Sequence, residues 1–236
     1  MNKQTEHQGH LMHPIARIST DFPSKFGIPR QSGLVPALKS TLIFEPEYRN
    51  PDALKGLEEF SHLWLIWEFS ESIQDTWSPT VRPPRLGGNV RKGVFATRSP
   101  FRPNPLGLSC VKLEKILWDA PNGPLLLLSG ADLMDQTPVY DIKPYIPFSD
   151  SHPEAAGGFA DTHRDDRLRV EFKEPLKSLV PEEHLEALIE VLALDPRPAY
   201  QKDPKRIYGF PFAGMEIRFS VRDGVLTVVN VEFTKA

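Results

Sequence analysis

The sequence predicts a mostly β fold with a small C-terminal α+β unit, and three observations support this prediction. The 236 residues include 24 prolines, which interrupt helices and favour loop-rich β structure. Short apolar segments alternate with turns that contain Gly, Asn or Asp, as is typical of antiparallel β proteins. No G-x-G-x-x-G motif opens a βαβ unit, so a doubly wound nucleotide-binding fold is not expected.

Several segments of the N-terminal part have the length and composition of strands. They are residues 15–18, 40–44, 60–69, 93–96, 106–118 and 124–130. Residues 60–69 are almost continuously apolar, which predicts a central strand buried on both faces. His62 within it fits a hydrogen-bonded core residue better than a catalytic one. A short helix is predicted at 51–57, and Asn122-Gly123 predicts a tight turn between the last two strands.

A polar segment divides the chain into two predicted domains. Residues 151–166 include Pro153 and the pair Gly157-Gly158, which favour a linker. The first domain then covers residues 12–150 and the second covers residues 167–236.

The second domain is predicted to combine one helix with a few strands. Within residues 181–194 the apolar side chains follow a helical spacing; these are Leu185, Leu188, Ile189 and Leu192. Residues 168–172 predict a strand, and residues 215–221 and 224–233 predict a hairpin that turns at Asp223-Gly224. We expect these elements to form a small core docked on the first domain, whose own pocket would form without them.

The composition indicates which class of protein this is and in which compartment it is expected. Apolar residues make up 40% of the chain and charged residues 25%, as in ordinary globular proteins. No apolar run of about 18 residues and no secretory signal is visible, and the single Cys110 suits the reducing cytoplasm. His7, His10 and His13 have the spacing HxxHxxH, but such a cluster is more typical of a polar tail, so no metal site is predicted.

Three prolines stiffen the stretch at residues 93–109, GVFATRSPFRPNPLGLS, which we call the proline-rich stretch. Pro100, Pro103 and Pro105 fix φ and remove N–H donors, so no helix can run through it. The stretch should therefore hold Arg98 and Arg102 at set angles, and guanidinium groups bind carboxylates or phosphates through a planar fork. The alternative is that the prolines only shape a corner and the arginines are solvated.

Positive charge is concentrated around this stretch. Residues 76–113, which we call the acid-free segment, contain no Asp or Glu although the net charge of the chain is −3. The cations in it are Arg82, Arg85, Arg91, Lys92, Arg98, Arg102 and Lys112. A local surplus of this kind predicts a polyanionic partner, an anionic group of a cofactor, or both.

Two long motifs resemble a known family. Residues 81–109, VRPPRLGGNVRKGVFATRSPFRPNPLGLS, and residues 132–148, DLMDQTPVYDIKPYIPF, are similar to the TsaA-like domain of the TrmO family. The resemblance runs from about Pro14 to Phe148 and continues more weakly through DPRPAY. It implies an N-terminal antiparallel β-barrel and an S-adenosylmethionine-dependent tRNA (adenine-N6)-methyltransferase. It also implies that the substrate is threonylcarbamoyl-adenosine beside the anticodon, and that the protein is a homodimer with the cofactor near the subunit interface.

The resemblance assigns a set of contacts to S-adenosylmethionine. These residues are Pro29, Arg30, Gln31, Ser70, Glu71, Arg98, Leu108, Ser129, Gly130, Ala131 and Asp132. The amide of Gln31 has both a donor and an acceptor and so can pair with an adenine edge. At Ser70 the family more often carries histidine. The alternatives are an exposed loop at Pro29–Gln31 and turn capping by the aspartates.

Catalytic and RNA-binding residues are predicted less directly. A carboxylate or a water must accept the proton of N6, and Asp135 and Asp141 are the candidates for it. The predicted RNA contacts are Arg82, Arg85, Arg91, Lys92, Arg102, Arg197 and Tyr200; the last two lie in a segment that is equally compatible with a solvated loop. Gln136 stands where similar proteins have glycine; if that glycine has a positive φ, Gln136 is strained or the turn is remodelled.

The sequence is also compatible with two other functions. A non-catalytic RNA-binding barrel would use the acid-free segment to bind phosphates without S-adenosylmethionine. A hydrolase would use the aspartates of residues 132–141 with a metal or a water.

Overall fold

The computed structural model describes residues 9–83, 86, 90–163, 166–198 and 203–234. In chain order the strands are β1 (Ala16–Ser19), β2 (Lys39–Phe44), β3 (His62–Glu68), β4 (Thr80–Val81), β5 (Lys92–Gly93), β6 (Leu106–Leu117), β7 (Leu125–Ser129), β8 (Pro138–Pro144), β9 (Arg169–Glu171), β10 (Tyr208–Phe212), β11 (Met215–Arg222) and β12 (Val225–Phe233). The α-helices are α1 (Pro147–Asp150) and α2 (Glu182–Ala193).

Six strands close into an antiparallel barrel in the order β1-β2-β7-β6-β3-β8. The predicted mostly β fold with an N-terminal barrel is therefore confirmed. Along β6 the inward positions Gly107, Ser109, Val111 and Leu113 are buried, and their neighbours are more exposed. This alternation with period two is what a strand needs when one of its faces lines a core.

Strand β3 corrects the expectation of burial on both faces. Leu63, Leu65 and Trp67 are buried, whereas the residues between them are only half-buried. The outward Trp64 is partly covered by other side chains: the Tyr145 ring lies 5.7 Å from its ring, and Trp64 Nε1 donates to Asp150 at 2.9 Å. His62 lies on this outer face, where its Nδ1 is 2.9 Å from Ser61 Oγ.

Other local predictions of secondary structure were wrong in segments that contain proline or glycine. Residues 94–96 form a 3-10 turn rather than a strand. The helix predicted at 51–57 is replaced by two 3-10 segments, Pro51–Leu54 and Leu57–Glu59. Two strands were not predicted: β8, which lies in an aspartate-containing segment, and β10, whose sequence YGFPF contains both Gly and Pro. In β10, tertiary packing outweighs the unfavourable strand preference of these residues.

The C-terminal domain is a four-stranded sheet, in the order β10-β11-β12-β9, with α2 packed on it. The predicted helix and hairpin are confirmed, although the buried stripe of α2 consists of Ala187, Leu188, Val191 and Leu192. Leu185 and Ile189 lie at its edges.

Residues 20–38, which we call the β1–β2 loop, connect two barrel strands but pack into the core of the C-terminal domain. Phe22, Val35 and Leu38 are buried in the same cluster as the residues of α2 and β10–β12. The barrel core is a second, separate cluster. The loop therefore belongs to the barrel by chain position and to the C-terminal core by packing.

Candidate functional site

Three segments meet beside the first half of β6. After β7 ends at Ser129, the chain passes beside β6. The β1–β2 loop contacts both β6 and the segment that follows β7. Gly33 N donates to Gly130 O at 2.8 Å, and Cys110 N of β6 donates to Ser32 Oγ at 3.1 Å. Gly130 has a φ of +76°, a region that favours glycine, and this turn directs the chain toward Asp132.

A buried hydrogen-bond chain fixes Asp132. Ser109 Oγ donates to Asp132 Oδ1 at 2.5 Å and accepts from Trp67 Nε1 at 2.9 Å. Burial raises the pKa of Asp132 above its ordinary value, and the Ser109 hydroxyl and the Arg98 guanidinium act in the opposite direction. The site thus has an oriented carboxylate that is partly removed from water.

A cation and an amide adjoin this carboxylate. The Arg98 guanidinium donates to the side-chain oxygen of Gln31, and the Gln31 amide nitrogen donates to the carbonyl of Arg30. Arg98 itself is exposed. Guanidinium, amide and carboxylate therefore form one set that can bind an anionic group, a hydrogen-bonding ring edge and a cationic group.

The proline-rich stretch is braced by its own hydroxyl and guanidinium groups. Thr97 Oγ1 donates to Val94 O at 2.8 Å, and Arg102 donates to the carbonyls of Thr97 and Ser99 at 3.0 and 3.4 Å. Arg102 thus stiffens the stretch that carries Arg98.

The structure brings together most of the predicted cofactor residues. Pro29 is buried in the β1–β2 loop, and Gly130, Ala131 and Asp132 follow β7. Leu108 is adjacent to Ser109, but its side chain lies on the outer face of β6 and is 55% exposed.

Three other predicted cofactor residues are less directly placed. Ser129 Oγ donates to Glu114 at 2.8 Å. Hydrogen bonds from Lys112, Ser129 and Lys39 lower the pKa of Glu114 to about 2, so the Ser129 hydroxyl belongs to this charge network. Ser70 and Glu71 lie in a 3-10 turn after β3, and the described contacts do not join them to Asp132.

Both candidate bases have structural hydrogen bonds. Asp135 Oδ1 accepts from Thr20 N at 3.0 Å, and Asp141 Oδ1 accepts from Ile142 N at 2.9 Å while its other oxygen pairs with Lys143 at 2.9 Å. Neither contact caps a turn, because Thr20 is distant from Asp135 in the chain and Asp141 lies within β8. Gln136 has a φ of +62°, in the region that favours glycine.

Apart from Arg102, whose guanidinium donates to the carbonyls of Thr97 and Ser99, the predicted RNA contacts fall into three groups. Arg82 and Arg91 are exposed, although Arg91 also donates to Thr80 Oγ1 at 3.0 Å, and Lys92 lies 6.0 Å from the Phe159 ring. Arg197 is held by Asp195 through bonds of 2.7 and 2.8 Å and its side chain is only 10% exposed. Arg85 and Tyr200 lie outside the described residues.

Three residues of the site were not predicted from the sequence: Trp67, Ser109 and Ser32. Ser109 occupies an inward position of β6 between Gly107 and Val111. A polar residue in an otherwise apolar inward row requires a buried partner, and this pattern could have revealed it. No comparable signal marks Ser32.

Comparisons with known proteins give the family. A family model described as the tRNA-methyltransferase O N-terminal domain matches residues 17–151, and the TrmO C-terminal domain matches residues 165–234. The chain belongs to the tRNA-methyltransferase O family. The resemblance drawn from the two sequence motifs is thereby confirmed.

Full-length relatives of this TrmO-family chain carry related names. An Escherichia coli K12 protein named tRNA (adenine(37)-N6)-methyltransferase is 41% identical over 226 residues, 92% of this chain and 96% of the relative. A Pseudomonas aeruginosa protein, 41% identical over 231 residues, 94% and 97% of the two chains, carries the name of an S-adenosylmethionine-dependent methyltransferase. The crystal structure of TrmO from Pseudomonas aeruginosa superposes with a TM-score of 0.78 at 34% identity, covering 96% of this chain and all of that one.

Within the described ranges, no helix has the length and apolar character that a membrane crossing requires. Nor do three or more His, Cys, Asp or Glu side chains come together in a way that could hold a metal ion.

Proposed function

We propose that this protein transfers a methyl group from S-adenosylmethionine to N6 of threonylcarbamoyl-adenosine at position 37 of tRNA. The protein is a methyltransferase of the tRNA-methyltransferase O family, and its relatives carry adenine-37 methyltransferase names. The observation that carries the proposal is the set of Arg98, Gln31 and Asp132 within a chain of this family.

The residues of the site fit the chemistry of the methyl donor. Its amino-acid end has a carboxylate, which suits the guanidinium of Arg98, and an ammonium group, which suits the carboxylate of Asp132. The amide of Gln31 can pair with the adenine edge. When bound, S-adenosylmethionine supplies a methyl group activated by a sulfonium centre.

The protein contributes alignment more than acid–base chemistry. Because the proline-rich stretch and the Ser109–Asp132 pair are already fixed, little conformational freedom is lost when these groups bind a ligand. Holding donor and acceptor in line is a large part of such catalysis. N6 must release one proton, and since Asp135 and Asp141 are engaged in backbone bonds, we assign its removal to solvent.

The acid-free segment is the proposed tRNA surface. Arg82, Arg91 and Lys92 present positive charge that can bind phosphates. The threonylcarbamoyl group carries its own carboxylate, which a guanidinium of this segment can pair with. A cytoplasmic location follows from such a substrate.

A homodimer is the proposed assembly. Phe95 is 74% exposed and Leu108 is 55% exposed, and both lie in the proline-rich stretch next to the proposed cofactor residues. Large apolar side chains of this kind are buried at low cost by a second copy of the chain. Light scattering with cofactor present should therefore give the mass of two chains, and the mass of one chain would contradict the assembly.

The test is mass spectrometry of tRNA nucleosides after incubation with the protein and S-adenosylmethionine. Threonylcarbamoyl-adenosine should gain one methyl group, and tRNA with unmodified adenosine at position 37 should react poorly. Methylation of both tRNAs at the same rate would contradict the proposed substrate. If neither tRNA is methylated and S-adenosylhomocysteine does not bind, the RNA-binding alternative is favoured.

A further inference from the structure

The β1–β2 loop connects the proposed cofactor site with the C-terminal domain. It carries Pro29, Arg30 and Gln31, yet its anchoring side chains lie in the core of the other domain. Phe22 is 1% exposed and packs edge-on against Phe212 of β10, with ring centroids 5.2 Å apart. Aromatic pairs in this geometry stabilise a contact beyond the apolar area that they bury.

Polar contacts hold the start of the same loop. Ala213 N donates to the carbonyl of Asp21 at 2.9 Å. The Asp21 carboxylate lies 3.2 Å from Nδ1 of His184, a residue of α2 whose ring also stands edge-on to Phe212. Asp21 is thus fixed to the C-terminal domain through both its backbone and its side chain.

In the middle of the loop, the backbone of Gly27 lies directly against the C-terminal core, because glycine has no side chain. Gly27 has a φ of +86°, and a Cβ added to it would lie 2.3 Å from Cδ2 of Phe210. Phe210 is itself buried, so it cannot move aside freely. A cleft of about 180 Å³ continues this contact, with residues 25–30 on one side and Val191 and residues 194–198 on the other.

The far end of the loop is fixed to the barrel instead. Ser32 accepts from Cys110 N, and Gly33 donates to Gly130. Arg30 and Gln31 therefore lie in a short span between one attachment to the C-terminal domain and one to the barrel. The position of Gln31 beside Arg98 depends on both attachments.

We propose that the C-terminal domain is a positioning element of the cofactor site, acting on the β1–β2 loop through Phe22, Gly27 and Asp21. This inference rests on the proposed function and adds to it. The domain sets the affinity for S-adenosylmethionine, besides any contact that it makes with tRNA. It replaces the expectation that the barrel pocket forms without the C-terminal part.

The main test compares two glycine substitutions in the full-length protein by calorimetry with S-adenosylhomocysteine. Gly27→Ala forces the loop away from Phe210. Gly56→Ala is the matched control, because Gly56 has a φ of +84° but no atom within 4 Å of the added Cβ. Gly27→Ala should bind S-adenosylhomocysteine about tenfold more weakly, whereas Gly56→Ala should bind it as the wild type does.

Rescue separates positioning from general destabilisation. Adding Phe210→Leu to Gly27→Ala removes the ring that the new methyl group meets, so affinity should return toward the wild-type value although the core is smaller. In steady-state kinetics Gly27→Ala should raise KM for S-adenosylmethionine more than KM for tRNA. If Gly27→Ala fails to fold, His184→Gln, which removes the pair with Asp21, should still weaken S-adenosylhomocysteine binding.

The outcomes distinguish this inference from the function on which it rests. Wild-type affinity in folded Gly27→Ala, or in His184→Gln where that variant is used, would overturn the positioning role alone. A wild-type protein that binds no S-adenosylhomocysteine would instead overturn the proposed function.

Discussion

Replacing Ser109 by Ala tests the hydrogen-bond chain that orients Asp132. The Ser109 side chain is fully buried and its Oγ takes part in two bonds, of 2.5 Å to Asp132 and 2.9 Å to Trp67. A hydrogen bond to a charged group contributes about 1.5–3 kcal/mol. If Asp132 binds the ammonium group of the cofactor, S-adenosylhomocysteine affinity should fall by roughly ten- to a hundredfold.

The pH dependence of S-adenosylhomocysteine binding tests this prediction in a second, independent way. Binding that needs ionised Asp132 weakens as the pH falls through the pKa of that carboxyl. The Ser109 hydroxyl lowers this pKa, so its removal raises the pKa further. In Ser109→Ala the loss of affinity should therefore begin at a higher pH than in the wild type.

The assay is calorimetric titration with S-adenosylhomocysteine over a range of pH, with Ser40→Ala as the control. Ser40 is also a buried serine of the barrel, but its hydroxyl has no hydrogen-bond partner among the described residues. Ser40→Ala should bind like the wild type. Equal affinity and an unshifted pH profile in folded Ser109→Ala would refute the proposed role of the chain from Trp67 to Asp132.

Four further predictions address other parts of the molecule. Arg98→Ala should weaken S-adenosylhomocysteine binding by roughly 1.5–3 kcal/mol, and unchanged affinity by calorimetry would remove Arg98 from the site. Replacing Arg82 and Arg91 together by Ala should reduce the log–log salt slope of tRNA binding by roughly 1.5, and an unchanged slope would place the RNA elsewhere. Gln136→Gly should raise the free energy of unfolding by about 0.5–1 kcal/mol, since glycine adopts a positive φ without strain; a lower midpoint in urea would show that its side-chain contacts matter more. Because the folded pKa of Glu114 is depressed to about 2, its contribution to stability is present above its ordinary pKa and is lost as the pH falls toward 2. Glu114→Gln should therefore be less stable than the wild type in urea at pH 7 but nearly equal to it near pH 2, and an equal deficit at both would contradict the charge network.

Local patterns were sufficient for much of the fold. The alternation in β6 predicted its range to within one residue at the C-terminal end, and Asp223-Gly224 marked the turn between β11 and β12. These signals are local because strand alternation and turn conformation depend on neighbouring residues. The closed barrel was predicted from the family resemblance, since closure depends on pairings between distant strands.

Long-range packing could not be predicted from the sequence. Phe22 and Leu38 flank barrel strands in the chain, but they are buried in the C-terminal core. A single sequence shows that such residues are apolar without showing which core contains them. The partners of charged groups are hidden in the same way: Arg197 was expected to face RNA, whereas its guanidinium is held by Asp195.

The candidate site was predicted in composition but not in geometry. Gln31, Arg98 and Asp132 were assigned to the cofactor through the resemblance, and the structure places them in one set. Ser109 was missed, because the bond that it makes to Asp132 spans 23 residues of the chain.

Calorimetric titration of S-adenosylhomocysteine into the wild type and into Asp132→Asn shows directly whether the Asp132 carboxylate holds the methyl donor. The Asn side chain is close in size to Asp but carries no charge, so the fold should be kept while the ionic contact is lost. We expect saturable binding to the wild type and binding at least about tenfold weaker in the variant. Equal affinity for both proteins, with the variant folded, would contradict the claim that this carboxylate holds the methyl donor.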